Sequence, residues 1–237
     1  MYLTRDVLLH MKTTLITLSL FLLLPWLVMA ETDEEQERER PPTPFELAAE
    51  SDYVVLARLL IYEYEKRRDI PVEGKTWFNV LVPYKVPRPV DRLRVIEEGF
   101  GDDKCYFDDI PLYEQMPRYL LFLVTDEDGD IRGHPDVCAL PIVVTTDNRY
   151  VVRWPIKRVT LDDEVEDLVQ EFEFHGTGAF IDLSEMTSLR REDTIEELHL
   201  TEVERGEYRY TRGILLEDFR KLLGAENLTR DRIQRGR

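Results

Sequence analysis

The sequence predicts a mainly β protein of the α+β class, a small barrel or sandwich followed by helical and hairpin additions. Two observations lead to this prediction. Short runs of β-branched and aromatic residues, separated by Gly, Pro and Asp turn signals, continue as far as Trp154. The hydrophobic period then changes to that of helices. Because the helices follow the strands instead of alternating with them, a parallel doubly wound sheet is disfavoured.

Six runs of residues are predicted as strands. Pro83 lies inside the second run and indicates an edge position or a bulge. Residues 67–74 are predicted to break the chain between the first two strands, and residues 126–130 to form a hairpin turn. The fourth run is almost continuously apolar and is therefore predicted to be a central, buried strand. The predicted strands cover residues 52–64, 76–86, 91–96, 118–124, 141–145 and 149–154.

Two helices and a hairpin are predicted after Trp154. A first helix is indicated by an apolar stripe at helical spacing, which begins after Thr160 and ends before Gly176. A second, shorter stripe ends at Gly224. Residues 199–210 alternate around a turn signal and are predicted to form a hairpin. The two stripes consist of Leu161, Val165, Leu168, Val169 and Phe172, and of Leu215, Phe219, Leu222 and Leu223.

Residues 1–30 are predicted to be a secretory signal peptide. Lys12 precedes a short apolar run, and the small residue Ala30 precedes the acidic Glu31, so cleavage is expected between these two residues. The pattern begins at Met11, which we expect to be the true start of translation. The alternative is an uncleaved membrane anchor. Cleavage predicts a periplasmic or secreted protein with no membrane association.

The rest of the chain divides by composition and pattern. Residues 31–44 are acidic and rich in Pro, which predicts a disordered leader. Residues 45–156 are predicted to be the β-barrel domain, residues 157–225 a helical and hairpin extension packed on it, and residues 226–237 a basic tail. The net charge of −17 disfavours a nucleic-acid partner, and we expect a protein partner instead.

The two cysteines, Cys105 and Cys138, are predicted to form a disulfide. Export places them in an oxidising compartment, where an even number of cysteines usually pairs. The alternative is a redox or metal-binding pair. The sequence favours the disulfide because it contains no Cys-x-x-Cys and no nearby pair of histidines.

The acidic turn that contains Asp126, Asp128 and Asp130 is a weak candidate for a Ca²⁺ site. Carboxylates at alternate positions are the ligands of an EF-hand loop, but such a loop needs Gly and Glu where this chain has Ile131 and Val137. A plain hairpin turn is therefore the favoured interpretation, and no cofactor is predicted.

No catalytic group is predicted either. The histidines His134, His175 and His199 lie at spacings that do not match a zinc site, and His175 is interpreted as an imidazole at a helix terminus. The serines that follow the predicted cleavage site have no evident base, and adjacent acids are expected from the composition alone.

Three segments resemble netrin-like domains, the OB-like fold of tissue inhibitors of metalloproteinases. Residues 49–58 resemble the opening strand of that family, and residues 78–85 resemble its second strand. Cys105, the apolar run 119–124 and Cys138 resemble the core of bacterial exported members. The resemblance covers residues 45–154 and implies an OB-like small β-barrel with C-terminal helical and hairpin additions.

The chain departs from that family at the inhibitory site. The inhibitors chelate zinc through an N-terminal Cys-x-Cys, whereas the predicted mature chain begins at Glu31 and has no cysteine before Cys105. Val86 also stands where the family has Gly. The leading hypothesis is therefore an exported, non-enzymatic binding or structural module with a protein partner. The alternatives are a protease inhibitor that acts through a loop, and a periplasmic hydrolase with an unlocated carboxylate site.

Overall fold

A computed structural model of the chain describes residues 40–101, 104–107 and 117–229. The predicted signal peptide, its cleavage site at Ala30 and Glu31, and most of the predicted leader and basic tail lie outside these residues. Arg40 to Pro44, which the composition assigns to the leader, belong to the described part, and the first helix begins at Pro44.

Five strands close into a small β-barrel. β1 pairs antiparallel with both β2 and β4, β2 pairs with β3, and β5 returns antiparallel along β4. β3 and β5 run parallel through Val95 and Ile131. The resulting order, β1-β2-β3-β5-β4-β1, is that of an OB barrel and confirms the predicted fold class. The strands are Tyr53–Arg67, Ile70–Lys85, Arg92–Glu98, Arg118–Thr125 and Ile131–Gly133.

β4 is buried on both faces, as its apolar run predicts. Tyr119, Leu121 and Leu123 pack inside the barrel. Leu120 and Phe122 alternate with them and pack in a second cluster outside the barrel, together with residues of three helices. Because neighbouring side chains of a strand point to opposite faces, only a strand covered on both sides can be apolar throughout.

The predicted break at residues 67–74 is wrong, since β1 and β2 form one long hairpin. Only Arg68 and Asp69 lie between the strands, with φ angles of 51° and 66°. Positive φ at both central residues is the requirement of a type I′ turn, which usually selects Asn or Gly, so the sequence carries no turn signal here. The bulge predicted at Pro83 is confirmed: the β1–β2 register skips Tyr84.

A second sheet diverges from the barrel at β4. Residues 123–125 of β4 pair with β5, whereas residues 118–121 pair with β6, so one strand edge serves both sheets. A separate three-stranded sheet contains the predicted hairpin as β11 and β12. These strands are β6 Ala139–Thr145, β7 Tyr150–Arg153, β8 Gln170–Glu171, β9 Phe174–His175, β10 Phe180–Asp182, β11 Leu200–Glu204, β12 Glu207–Tyr210 and β13 Arg212–Leu215.

Two helices cover the outer apolar face of the barrel. α1 begins with a capping box in which the Glu46 amide donates to the Thr43 hydroxyl and the Thr43 amide donates to the Glu46 carboxylate. α4 confirms the second predicted helix and contributes Phe219 to the same cluster as Leu47 of α1. Within the described residues, no helix combines the length and apolarity needed to span a bilayer. The helices are α1 Pro44–Glu50, α2 Asp163–Glu166, α3 Ser188–Leu198 and α4 Leu216–Leu222.

The first predicted helix is wrong in extent. Only Asp163–Glu166 is helical, and the chain then continues as the short strands β8 and β9. Val165 is buried as the stripe predicts. The segment ends early because Gln170 pairs with Gly213, and this tertiary strand contact outweighs a helical stripe interrupted by aspartates and β-branched residues.

α3 has no counterpart among the predicted elements. None of its residues is buried, and charged side chains occupy most of its length. Its half-buried face has only two apolar residues, Ile195 and Leu198, which pack against a core cluster, so hydrophobic periodicity gives a weak signal here.

Gly133, the last residue of β5, packs against the paired cysteines. The sulfur atoms of Cys105 and Cys138 lie 2.08 Å apart, which is disulfide-bonding distance. A Cβ atom on Gly133 would come within 2.6 Å of the Cys105 Cβ and within 2.7 Å of the Cys138 Cβ. The site therefore requires glycine for its lack of a side chain.

We predict that Gly133→Ala destabilises the protein by about 1–3 kcal/mol, because the added methyl overpacks the disulfide. Gly178→Ala is the matched control, since a Cβ atom added there would meet no other atom within 4 Å and its φ is ordinary. Urea denaturation measures both variants, and the control is expected within about 0.5 kcal/mol of the parent. Equal stability of the two variants would contradict the packing described for Gly133.

Candidate functional site: a basic cleft beside the disulfide

A cleft of about 380 Å³ opens where the second sheet leaves the barrel. One wall is the connection from β5 to β6, which includes Cys138. The opposite wall consists of the segment after β7, the end of α3 and Tyr210 of β12. Volumes of this size are typical of sites for small ligands. The described lining residues are Lys104, Asp136, Val137, Cys138, Ala139, Leu140, Pro141, Arg153, Pro155, Lys157, Arg158, Leu198 and Tyr210.

The cleft is basic although the protein is strongly acidic. Lys104, Arg153, Lys157 and Arg158 contribute four cationic side chains, against one carboxylate from Asp136 among the described lining residues. The whole chain has the opposite balance, with 48 acidic and 31 basic residues. Cations gathered in a concave surface focus a local positive potential, which attracts an anionic group.

Arg153 is the best-positioned cation of the cleft. Its guanidinium carbon lies 4.2 Å from the centroid of the Tyr210 ring, within the range of a cation–π contact. Between Arg40 and Thr229, no described carboxylate forms an ion pair with Arg153. The ring contact positions the guanidinium group, whose forked N–H donors suit bidentate binding of a carboxylate or phosphate.

The other cations are less available. The Lys157 Nζ lies 2.8 Å from the Glu197 Oε1, but both side chains are largely exposed, so this ion pair is weak. Arg158 is exposed and holds a φ of 63°, which places its backbone in the left-handed region. Lys104 is half-buried next to Cys105, and its charge partly offsets the rise that burial causes in the pKa of Glu97.

A polar cluster that the sequence analysis missed borders the cleft at Asp136. The His134 Nε2 lies 3.5 Å from the Glu50 Oε2, and the His134 Nδ1 lies 3.9 Å from the Asp136 Oδ2. Among the described residues, this is the one group of three metal-type side chains with a ligand atom of each within 4.8 Å of the others. The His134–Asp136 spacing was visible, but Glu50 comes from α1 and only the fold brings it close.

Both ring nitrogens of His134 face hydrogen-bonding groups. The Asp136 amide donates to Nδ1 at 3.3 Å, which assigns the ring proton to Nε2 on the side of Glu50. His134 is 3 % exposed, and its own amide donates to the Phe122 carbonyl of β4. The cluster thus ties α1 to the wall of the cleft. To bind this imidazole, a divalent metal would have to displace the Asp136 amide from Nδ1 or the proton from Nε2.

The structure does not gather Asp126, Asp128 and Asp130 into a three-ligand group, although all three are described. The Asp126 Oδ1 accepts from the amides of Asp128 and Asp130, and its Oδ2 pairs with Arg132. The hydrogen bond from Arg132 lowers the pKa of Asp126, with smaller contributions from the turn amides. These contacts are those of a side-chain-stabilised hairpin turn.

His175 and His199 lie away from this cluster. His175 belongs to β9 and pairs with Val144, so its assignment to a helix terminus is wrong. The chain at His175 forms the strand β9, which pairs with β6, instead of the end of a helix. His199 is the left-handed residue that ends α3, with a φ of 52°.

A second cavity of about 430 Å³ lies near α4, on the outer apolar face. Tyr84 and Tyr150 line it, and the Arg220 guanidinium lies 5.8 Å from the Tyr84 ring. The charged lining residues are Arg149, Glu217 and Arg220, and Arg149 is already paired with Asp147, so the charges are mixed. We therefore take the basic cleft, although smaller, as the candidate site.

Glu97 anchors the segment that carries Lys104. Its carboxylate accepts hydrogen bonds from the amides of Gly133, at 2.8 Å, and Cys105. Glu97 is only 5 % exposed, and this burial raises its pKa although the two amides and the charges of Lys104 and Arg132 act to lower it. The folded protein therefore retains the proton of Glu97 at a pH where the unfolded chain has lost it.

We predict that Glu97→Gln changes the pH dependence of stability. A raised folded-state pKa means that the contribution of Glu97 to wild-type stability falls as pH rises above the usual value near 4.5, whereas Gln does not titrate. The melting temperature of the variant, relative to wild type, should therefore rise from pH 4.5 to about pH 7. A difference that stays constant over this range would contradict a raised pKa of Glu97.

No family model, no curated protein and no solved structure matches this chain. The resemblance to netrin-like domains therefore remains a prediction, and functional arguments start from the geometry above.

Proposed function

We propose that the chain is a non-enzymatic binding protein whose basic cleft takes an anionic group, a carboxylate or a phosphate. The observation that supports this most is the stacked guanidinium of Arg153, which no described carboxylate pairs, inside a cationic cleft of an acidic protein. Charge-assisted bidentate hydrogen bonds to such a guanidinium are among the stronger polar contacts in proteins.

The lining supports binding more than catalysis. Its one described carboxylate, Asp136, has no second acid across the cleft, whereas hydrolysis by paired carboxylates needs two. Cys138 lies at bonding distance from Cys105 and so has no thiolate with which to attack a substrate. These features favour the binding hypothesis over the hydrolase alternative.

The cysteine pair also fits the proposed compartment. Disulfides persist in oxidising spaces such as the periplasm and the exterior of the cell. We propose on this ground, together with the signal-like start of the sequence, that the protein is exported.

The same anionic group can come from two sources. A free small anion fits the volume of the cleft, and an acidic side chain presented by a protein partner carries the same chemistry. The second source corresponds to the protein partner expected from the sequence. Citrate and a hexaglutamate peptide are suitable probes for the two sources.

We predict that Arg153→Gln weakens binding of the better probe at least tenfold, because a lost charge-assisted hydrogen bond costs about 1.5–3 kcal/mol. Isothermal titration calorimetry at low salt measures this affinity. Arg149→Gln is the matched control, since Arg149 directly precedes β7, lies outside the cleft lining and pairs with Asp147 at 2.7 Å. Equal affinity of both variants and wild type would contradict the proposal, as would failure of wild type to bind either probe.

A further inference from the structure

Three arginines and one asparagine lie in a row across the outer face of the barrel. Arg92 of β3 pairs in register with Asn79 of β2, Asn79 pairs with Arg58 of β1, and Arg58 pairs with Arg118 of β4. Directly opposite residues of neighbouring strands share a face of the sheet. We call these four residues the arginine row.

The row lies outside the barrel interior. Leu56 of β1 and Leu120 of β4 are two residues from Arg58 and Arg118, so they share their face. Both leucines pack in the outer cluster beneath α1 and α4, whereas Ala57 and Tyr119 fill the interior.

Arg58 and Arg118 are held especially close together. The Leu59 amide donates to the Pro117 carbonyl, which makes the next pair along the strands, Arg58 and Arg118, a non-hydrogen-bonded pair. Side chains approach each other most closely at such pairs, and like charges directly opposite are destabilising.

Neither arginine is neutralised within the part of the chain that the structure describes. The Nε atoms of Arg58 and Arg118 are buried and have no hydrogen-bond partner. No described carboxylate forms an ion pair with Arg58, Arg92 or Arg118. Arg118 is instead positioned by Tyr150, whose ring centroid lies 5.9 Å from its guanidinium carbon. An acidic chain thus leaves a cationic pair without an internal counter-ion among the described residues.

We propose that the arginine row is a second anion-binding site, in which Arg58 and Arg118 together hold one tetrahedral oxyanion. Two planar guanidinium groups offer paired N–H donors to phosphate or sulfate, and the Asn79 amide adds a neutral donor on the same face. The bound anion relieves the repulsion between the arginines. This site is distinct from the basic cleft and does not depend on the function proposed for it.

The test uses Arg153→Gln protein as the parent, so that the cleft does not contribute to binding. Calorimetric titration with inorganic phosphate, at constant ionic strength in chloride, measures the affinity, and a second titration with phosphoserine tests a phosphate carried on a larger molecule. Arg58→Gln and Arg118→Gln are each expected to weaken phosphate binding at least tenfold. In the double variant, the loss of binding free energy should be smaller than the sum of the two single losses, because both arginines hold the same ion.

Three controls keep the result specific. Arg149→Gln removes an exposed arginine outside the row and should leave phosphate binding unchanged. Arg118→Lys keeps the charge without the forked donors and should give an intermediate loss. In phosphate-free buffer, Arg58→Gln should melt no lower than the parent, because a like-charge contact is removed. Unchanged phosphate affinity in both Gln variants, or no phosphate binding by the parent, would overturn the proposal.

Discussion

The structure depends on one strand edge that is divided between two sheets. β4 pairs with β5 along residues 123–125 and with β6 along residues 118–121, so the chain must leave the barrel between them. The bond between Cys105 and Cys138 closes a separation of 33 residues at this point. In the chain-entropy estimate, such a closure is worth about 3–4 kcal/mol. The segment held there, residues 134–138, also forms one wall of the basic cleft, so the fold and the site depend on the same junction.

The charge distribution gives the electrostatic potential one sign at long range and the opposite sign inside the cleft. A net charge of −17 repels large anionic partners at distances below the Debye length of about 8 Å. Inside the cleft, the cations around Arg153 reverse the sign of the local potential. The arginine row repeats this arrangement on the outer face of the barrel. Two kinds of ligand would avoid the long-range repulsion and still bind the local cations. One is a compact anion, and the other is a short acidic segment of a partner whose remaining surface is not strongly negative.

The barrel could be predicted from sequence because its signals are local. The apolar run of β4 and the bulge at Pro83 can be recognised without knowledge of the fold, and the even number of cysteines pointed to the pair at Cys105. α3 was missed because none of its residues is fully buried and its half-buried face has only two apolar residues, Ile195 and Leu198. The first predicted helix was wrong because pairing of Gln170 with Gly213 is a long-range contact. The basic cleft gathers side chains from five separate segments, and His134 meets Glu50 only through packing of α1, so neither grouping has a sequence spacing that could reveal it.

We infer that the divided edge of β4 creates a preformed site for an anion at Arg153. Heteronuclear NMR of the protein, titrated with citrate at low salt, measures binding at this site. We expect saturable shifts of the Arg153 side-chain Nε–Hε resonance and of the amides of residues 136–139, with unchanged amides in α1 and at Arg68 and Asp69, the tip of the β1–β2 hairpin. Shifts that spread over exposed lysines and arginines without saturation, while the Arg153 resonance stays in place, would contradict it.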